Sequence, residues 1–221
     1  MTSDKNAAII ANGLCEGLNA LQGELAGMDM VIAADGGADV CLALGITPSL
    51  IIGDLDSISP AARRHFEAAG VEFSRHPRDK DQSDLELAVH AAVSQGAVHI
   101  TICCAMGGRW DMTIANMLLL LSPQLKHTTT RITDGRQHMR LLSSGDRVAF
   151  VGHRGDTLSL IPLGDAARGI SATGVAWPLD NAVLYPWQSR GVSNQFVDDT
   201  VIVSVTTGHL LCVHTEGLPQ R

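Results

Sequence analysis

The hydrophobic period of this chain changes once, near residue 128, and that change constrains the fold more than any single motif. Before it, short apolar runs alternate with longer amphipathic ones, the pattern of βαβ units that build a parallel sheet. After it the apolar residues recur at every second position, which predicts strands without helices. The first part is expected to carry strands near 7–11, 30–34, 50–52, 71–74 and 98–103. Three helices between them are clearly punctuated. Ser59-Pro60 supplies an N-cap and a first-turn proline for 61–69, and Gly70 offers a left-handed stop. Leu85, Ala88, Val89 and Ala92 share one face of 85–94, followed by Gly96, and a last helix covers about 112–121. In the second part 147–151, 157–161 and 201–205 read as strands, and Thr207-Gly208 reads as a hairpin turn joining 201–206 to 210–214. No low-complexity linker divides the halves, so domains are expected over 1–126 and 127–221.

Composition excludes several classes of function. A net charge of −7 with no basic run argues against nucleic acid as the main partner, because phosphate neutralisation needs clustered Lys and Arg. It leaves room for a nucleotide, whose phosphates can be met by a metal ion and backbone amides. No apolar run approaches the length of a membrane span and no signal segment opens the chain. Cys15, Cys41, Cys103, Cys104 and Cys212 are odd in number and lack Cys-x-x-Cys spacing. They are expected to be small buried hydrophobes in a reduced compartment, and the protein to be cytoplasmic.

Chemistry is expected where the strands end. The run Leu50-Ile51-Ile52-Gly53-Asp54-Leu55-Asp56-Ser57 empties a buried strand into two carboxylates, and ligands of open α/β sheets bind beyond the carboxyl ends of the strands. Asp35-Gly36-Gly37 follows the second strand, Lys80-Asp81-Gln82-Ser83-Asp84 the fourth, and Gly107-Gly108-Arg109-Trp110-Asp111 the fifth. In a parallel sheet these ends share one edge, so four loops deliver acids and an arginine to one rim. Clustered carboxylates repel, and a hard cation such as Mg²⁺ relieves that repulsion. Structural roles compete at each loop: a tight turn at Gly36-Gly37, an N-cap at Ser83, an ion pair between Arg109 and a neighbouring Asp.

With these loops in hand, the chain resembles the thiamine pyrophosphokinase family, enzymes that move a pyrophosphoryl group from ATP to thiamine. The resemblance rests on Asp35-Gly36-Gly37-Ala38, Gly53-Asp54-Leu55-Asp56-Ser57, Lys80-Asp81-Gln82-Ser83-Asp84 and Gly108-Arg109-Trp110-Asp111, in the family's order. It continues through Gly174-Val175-Ala176-Trp177-Pro178-Leu179 and Ser189-Arg190-Gly191-Val192-Ser193-Asn194. It implies a Rossmann-like parallel α/β domain that binds nucleotide, then a β-sandwich domain that binds thiamine and dimerises. The active sites of the implied homodimer lie between subunits. Mg²⁺ would be held by Asp54, Asp56 and Asp84. ATP would meet Asp35, Gly36, Gly37, Asp54, Ser57, Lys80, Gly108 and Arg109. Asp81, Asp111 and Arg109 would act at the reacting groups, with either carboxylate as the proton acceptor. Thiamine would meet Trp177, Ser193, Asn194 and Asp111. Met112 and Gln195 stand where many relatives place His and an acidic residue. The competing functions are a Mg²⁺-dependent phosphohydrolase of a nucleotide or sugar phosphate, and a non-catalytic nucleotide-binding module.

Overall fold

The computed structural model describes residues 4–15 and 17–217, the side chains of Leu18 and Asn19 excepted. The chain divides into two compact units, one ending at Gly135 and the other beginning at Arg136. The division falls later than residue 126 because 129–133 pair as a parallel strand with the first unit.

In the first unit, β1 (Lys5–Ile10), β2 (Met30–Ala34), β3 (Leu50–Gly53), β4 (Glu72–Arg75), β5 (Ala97–Cys103) and β6 (Thr129–Thr133) lie in the order β6-β5-β1-β2-β3-β4. All of their pairings are parallel. Both faces of the central strands are covered, which is why the apolar runs are unbroken: Ile9, Ile32, Ile51 and Ile102 are buried completely. The helices are α1 (Leu18–Leu25), α2 (Gly37–Leu44), α3 (Pro60–Ala68), α4 (Asp84–Ser94) and α5 (Trp110–Leu119). The Ser59 and Ser83 hydroxyls cap α3 and α4, accepting from the amides of Ala62 and Glu86 at 3.1 and 3.2 Å. The helices α1 and α2 have no side-chain cap.

The second unit contains only strands among its described elements. One antiparallel set runs β12 (Asn194–Gln195), β9 (Thr157–Pro162), β14 (Leu210–Thr215), β7 (Gln137–Leu142). The other runs β11 (Leu179–Leu184), β10 (Ala167–Thr173), β13 (Thr200–Ser204), β8 (Arg147–Val151). Leu142, Leu158, Leu160 and Cys212 from the first set pack with Ile170, Leu184, Val201 and Val203 from the second in one core.

Two further sequence expectations are corrected. Thr207-Gly208 is no hairpin turn: β13 pairs with β8 and β10, whereas β14 pairs with β7 and β9, so the segment carries the chain from one sheet to the other. Alternation and a turn signal mark a change of direction but do not name the partner strand. The cysteines are not all free. Cys41, Cys103 and Cys212 are, but a disulfide joins Cys15 to Cys104, with Cα atoms 5.1 Å apart. The pair is 89 residues apart in sequence, and the pairing of β1 with β5 makes the loops after those strands neighbours.

Candidate active site

Because every strand of the first unit points the same way, the loops after β1, β2, β3, β4 and β5 all open on one edge. They surround a cavity of about 510 Å³. Asp35, Asp54 and Asp84 gather there, and each offers one carboxylate oxygen within 4.8 Å of the others. Asp35 leaves β2, Asp54 leaves β3, and Asp84 is the first residue of α4. Their approach depends on Gly53. Its φ of +150° belongs to glycine, and a Cβ there would stand 3.0 Å from the Asp84 carboxyl carbon and 3.1 Å from the Asp35 Cβ. Asp35 itself has φ +46°, as Leu55 has +66° and Cys104 +55°, so left-handed non-glycine backbone collects around this cavity.

The trio concentrates like charge, with Lys80 beside Asp84 as its ion-pair partner. Burial pushes the Asp35 carboxyl above its usual range; bonds from Ser57 pull it down and the Asp84 charge raises it further. Asp84 Oδ1 is screened from solvent and accepts no hydrogen bond; Lys80 Nζ pairs with it electrostatically at 2.9 Å. Three hard oxygen donors, one of them short of a donor partner, fit Mg²⁺, which takes oxygen ligands and keeps several waters. The set differs from the one expected from sequence: Asp35 joins it, whereas Asp56 turns to the Ser57 hydroxyl at 2.9 Å and to Arg78 Nη1 at 3.7 Å.

The other expected residues divide by location. Ser57, Gly108 and Arg109 line the cavity. Gly36 and Gly37 are buried beneath the start of α2, against the Asn12 side chain and the Ile10 carbonyl, and do not line it. Lys80 is spent on Asp84 and on the Pro77 carbonyl at 3.1 Å. Arg109 and Asp111 pair with each other, Nε to Oδ1 at 3.2 Å and Nη2 to Oδ2 at 2.5 Å. That fork holds the Asp111 carboxyl below, and the Arg109 guanidinium above, their ordinary values. Asp81 is exposed, with no hydrogen bond or ion pair among the described residues. Sequence reasoning missed one wall altogether. Asn12, Gly13 and Leu14, after β1, line the cavity, and the amides of Gly13 and Leu14 donate to the carbonyls of Cys104 and Met106 at 2.6 and 2.7 Å. Asn116 was missed too; it lines the cavity from α5 and donates to the Ala105 carbonyl at 2.7 Å. The polar pair Asn12-Gly13 just past β1 was the available signal.

In the second unit, Trp177 presents an indole that is 62% exposed. Its backbone is clamped by buried Asn194, whose Oδ1 accepts from the Trp177 amide at 3.0 Å and whose Nδ2 donates to the Trp177 carbonyl at 2.7 Å. Ser193 is exposed at φ +62°, its amide donating to Ser159 Oγ at 3.0 Å. Asn194 thus holds Trp177 in place, which leaves Ser193 and the indole as the groups facing outward.

Residues 21–133 match the family model of the thiamin pyrophosphokinase catalytic domain, and 148–210 that of the thiamin pyrophosphokinase vitamin B1 binding domain. The chain belongs to the thiamine pyrophosphokinase family. A thiamine pyrophosphokinase from Bacillus subtilis is 27% identical over 184 residues, covering 83% of this chain and 86% of the relative. The crystal structure of thiamine pyrophosphokinase from Bacillus subtilis superposes with a TM-score of 0.86 at 25% identity, covering 97% of this chain and 100% of that one. Thiamin pyrophosphokinase from Candida albicans shares the fold, with a TM-score of 0.78 at 19% identity over 96% of this chain and 90% of that one. Within the thiamine pyrophosphokinase family match, the catalytic stretch spans the acidic trio and the Arg109–Asp111 pair, and the B1-binding stretch spans Trp177 and its Asn194 clamp. The 12–14 wall lies outside both.

Proposed function

We propose that the chain transfers the pyrophosphoryl group of ATP to the hydroxyl of thiamine, giving thiamine diphosphate and AMP. One observation carries the reading. Asp35, Asp54 and Asp84 converge at a sheet edge within a chain whose two halves match the catalytic and vitamin B1 binding models of one family. In this reading the first unit is a Rossmann-like nucleotide domain and the second a β-sandwich that carries the thiamine contacts.

The thiamine hydroxyl oxygen bonds to the β-phosphorus, the bond from that phosphorus to the α-phosphate oxygen breaks, and AMP leaves with the electron pair. Mg²⁺ bound at the trio would neutralise phosphate charge, the main demand of phosphoryl transfer. Asp56 beside the trio serves the same cation or its waters. Asp81 or Asp111 accepts the hydroxyl proton; Arg109 holds the Asp111 carboxyl below its ordinary value while the fork between them is closed, so Asp111 serves only once that fork opens. When the Arg109–Asp111 fork opens, Arg109 meets phosphate oxygens and Asp111 faces the cationic substrate. Gly108 and Ser57 border the phosphates, and Lys80 keeps Asp84 oriented. Trp177 offers its face to the thiazolium, as indoles do to cations, with Ser193 beside it.

An exposed apolar stripe on α5, with Trp110, Ile114 and Leu118 spaced four residues apart, supports a homodimer; that its active sites lie between subunits follows from the family reading. A cytoplasmic location goes with the need for ATP.

The deciding experiment incubates the protein with ATP and Mg²⁺, with and without thiamine, and assays AMP and thiamine diphosphate. AMP formed only with thiamine is the expected result. Phosphate released without thiamine would mark a phosphohydrolase, and no turnover a binding module.

A further inference from the structure

Beyond the acidic trio, the sheet edge continues into a second hollow of about 440 Å³, bordered by Asp54, Asp56, Arg75, His76, Pro77 and Arg78. Asp54, Asp56 and Arg78 belong to both hollows, so a ligand whose phosphates reach those acids has an open way into either.

The two hollows share their acids but differ in the side chains that complete them. The first is walled partly by Ala11, Leu14, Ala34, Leu85 and Met112, which suit a ring system. The second has two guanidinium groups, an imidazole, two carboxylates and one proline ring, so charged side chains dominate its lining. It is built to take charge. The loop that carries Arg78 is pinned just before it: the His76 amide donates to the Gly53 carbonyl at 2.8 Å, and Lys80 Nζ donates to the Pro77 carbonyl at 3.1 Å. Its guanidinium touches Asp56 at 3.7 Å while the side chain stays 86% exposed, which leaves most of its donors free. Arg75 makes no ion pair among the described residues. A planar fork beside a second guanidinium matches the geometry of a phosphate dianion.

We propose that this basic shelf seats the terminal phosphate of the nucleoside triphosphate, and that Arg78, with Arg75 behind it, makes the site select triphosphate over diphosphate. The proposal rests on the pyrophosphotransfer reading and adds a specificity determinant to it. The γ-phosphate travels with the transferred group, so the same shelf holds the outer phosphate of the product.

The test is calorimetric binding of ATP, ADP and AMP, each with Mg²⁺ and without thiamine, to the unmodified protein and to Arg78→Gln, Arg75→Gln and Arg78→Lys. Arg78→Gln is expected to weaken ATP roughly 10- to 100-fold, the scale of a lost charge-assisted contact, and to leave ADP and AMP within about twofold. Arg75→Gln is expected to shift ATP in the same direction by less. Arg78→Lys keeps the charge without the fork and falls between. Equal weakening of all three nucleotides, or no change in any, overturns the proposal; unchanged circular dichroism melts exclude misfolding as the cause. Thiamine-dependent AMP formation by the unmodified protein upholds the pyrophosphotransfer reading whichever way the arginine variants fall.

Discussion

At the scale of single residues, the site separates carboxylates that look alike in sequence. Asp54 and Asp56 stand one residue apart, yet only Asp54 joins Asp35 and Asp84, while the Asp56 amide donates to Asp54 Oδ1 at 3.0 Å and its carboxylate faces Arg78. Asp54→Asn and Asp84→Asn should therefore each lower thiamine-dependent AMP formation by about 10³-fold or more, the loss of several kcal/mol of transition-state charge stabilisation. Asp56→Asn should cost less, on the order of tenfold, since it removes a neighbour rather than a member of the trio. Steady-state assays over a Mg²⁺ titration check this: the Asp54 and Asp84 variants should not recover with added metal, and an Asp56 variant as damaged as Asp54 would refute the division.

At the scale of elements, the helix α2 shows how propensity and packing compete. Gly37 begins it, and a Cβ there would strike the Ile10 carbonyl of β1. Alanine in a helix ordinarily gains about 1 kcal/mol over glycine, but a backbone clash in a packed layer costs about 1–3 kcal/mol. The clash wins, so Gly37→Ala should lower Tm by several degrees, read by calorimetry; a raised Tm would show that the layer yields. The same element explains what the sequence concealed. The strands β2 and β3 were legible because burial on both faces leaves an unbroken apolar run, and α3 and α4 because Ser59 and Ser83 announce them. The helices α1 and α2 start at glycines without side-chain caps and carry no such signal. The acids at the strand ends were legible as a group, since parallel topology alone brings them to one edge. Which three converge depends on the backbone of Gly53 and Asp35, and composition does not encode it.

At the scale of the molecule, each unit has its own vulnerability. The second is pinned by a buried pair: His214 Nε2 donates to Asp156 Oδ2 at 2.9 Å, with the Phe196 ring stacked on the imidazole. Burial pushes the Asp156 carboxyl up, but the amides of His153 and Gly217 together with His214 outweigh it and leave it below the usual range. A depressed carboxyl contributes stability above its unfolded value, near pH 4, and that stability is lost as the pH falls through the lower folded value. Asp156→Asn should lower stability at neutral pH by about 1–3 kcal/mol and flatten the acid limb of the melting profile. Acid sensitivity identical to that of the unmodified protein would assign the limb to other groups. Assembly is tested on α5: Ile114→Asp with Leu118→Asp should turn a dimer into a monomer by sedimentation velocity, and an unchanged sedimentation coefficient would remove the stripe from the interface.

Asp35 has a consequence for how such a protein can be improved. It pairs a left-handed backbone with a buried charge beside Asp84, and asparagine answers both: it tolerates that conformation, keeps an oxygen for the Ser57 amide at 3.4 Å, and carries no charge. Asp35→Asn should gain about 1 kcal/mol of stability while abolishing turnover. A search for heat resistance alone would thus be drawn to a substitution that empties the site of its chemistry.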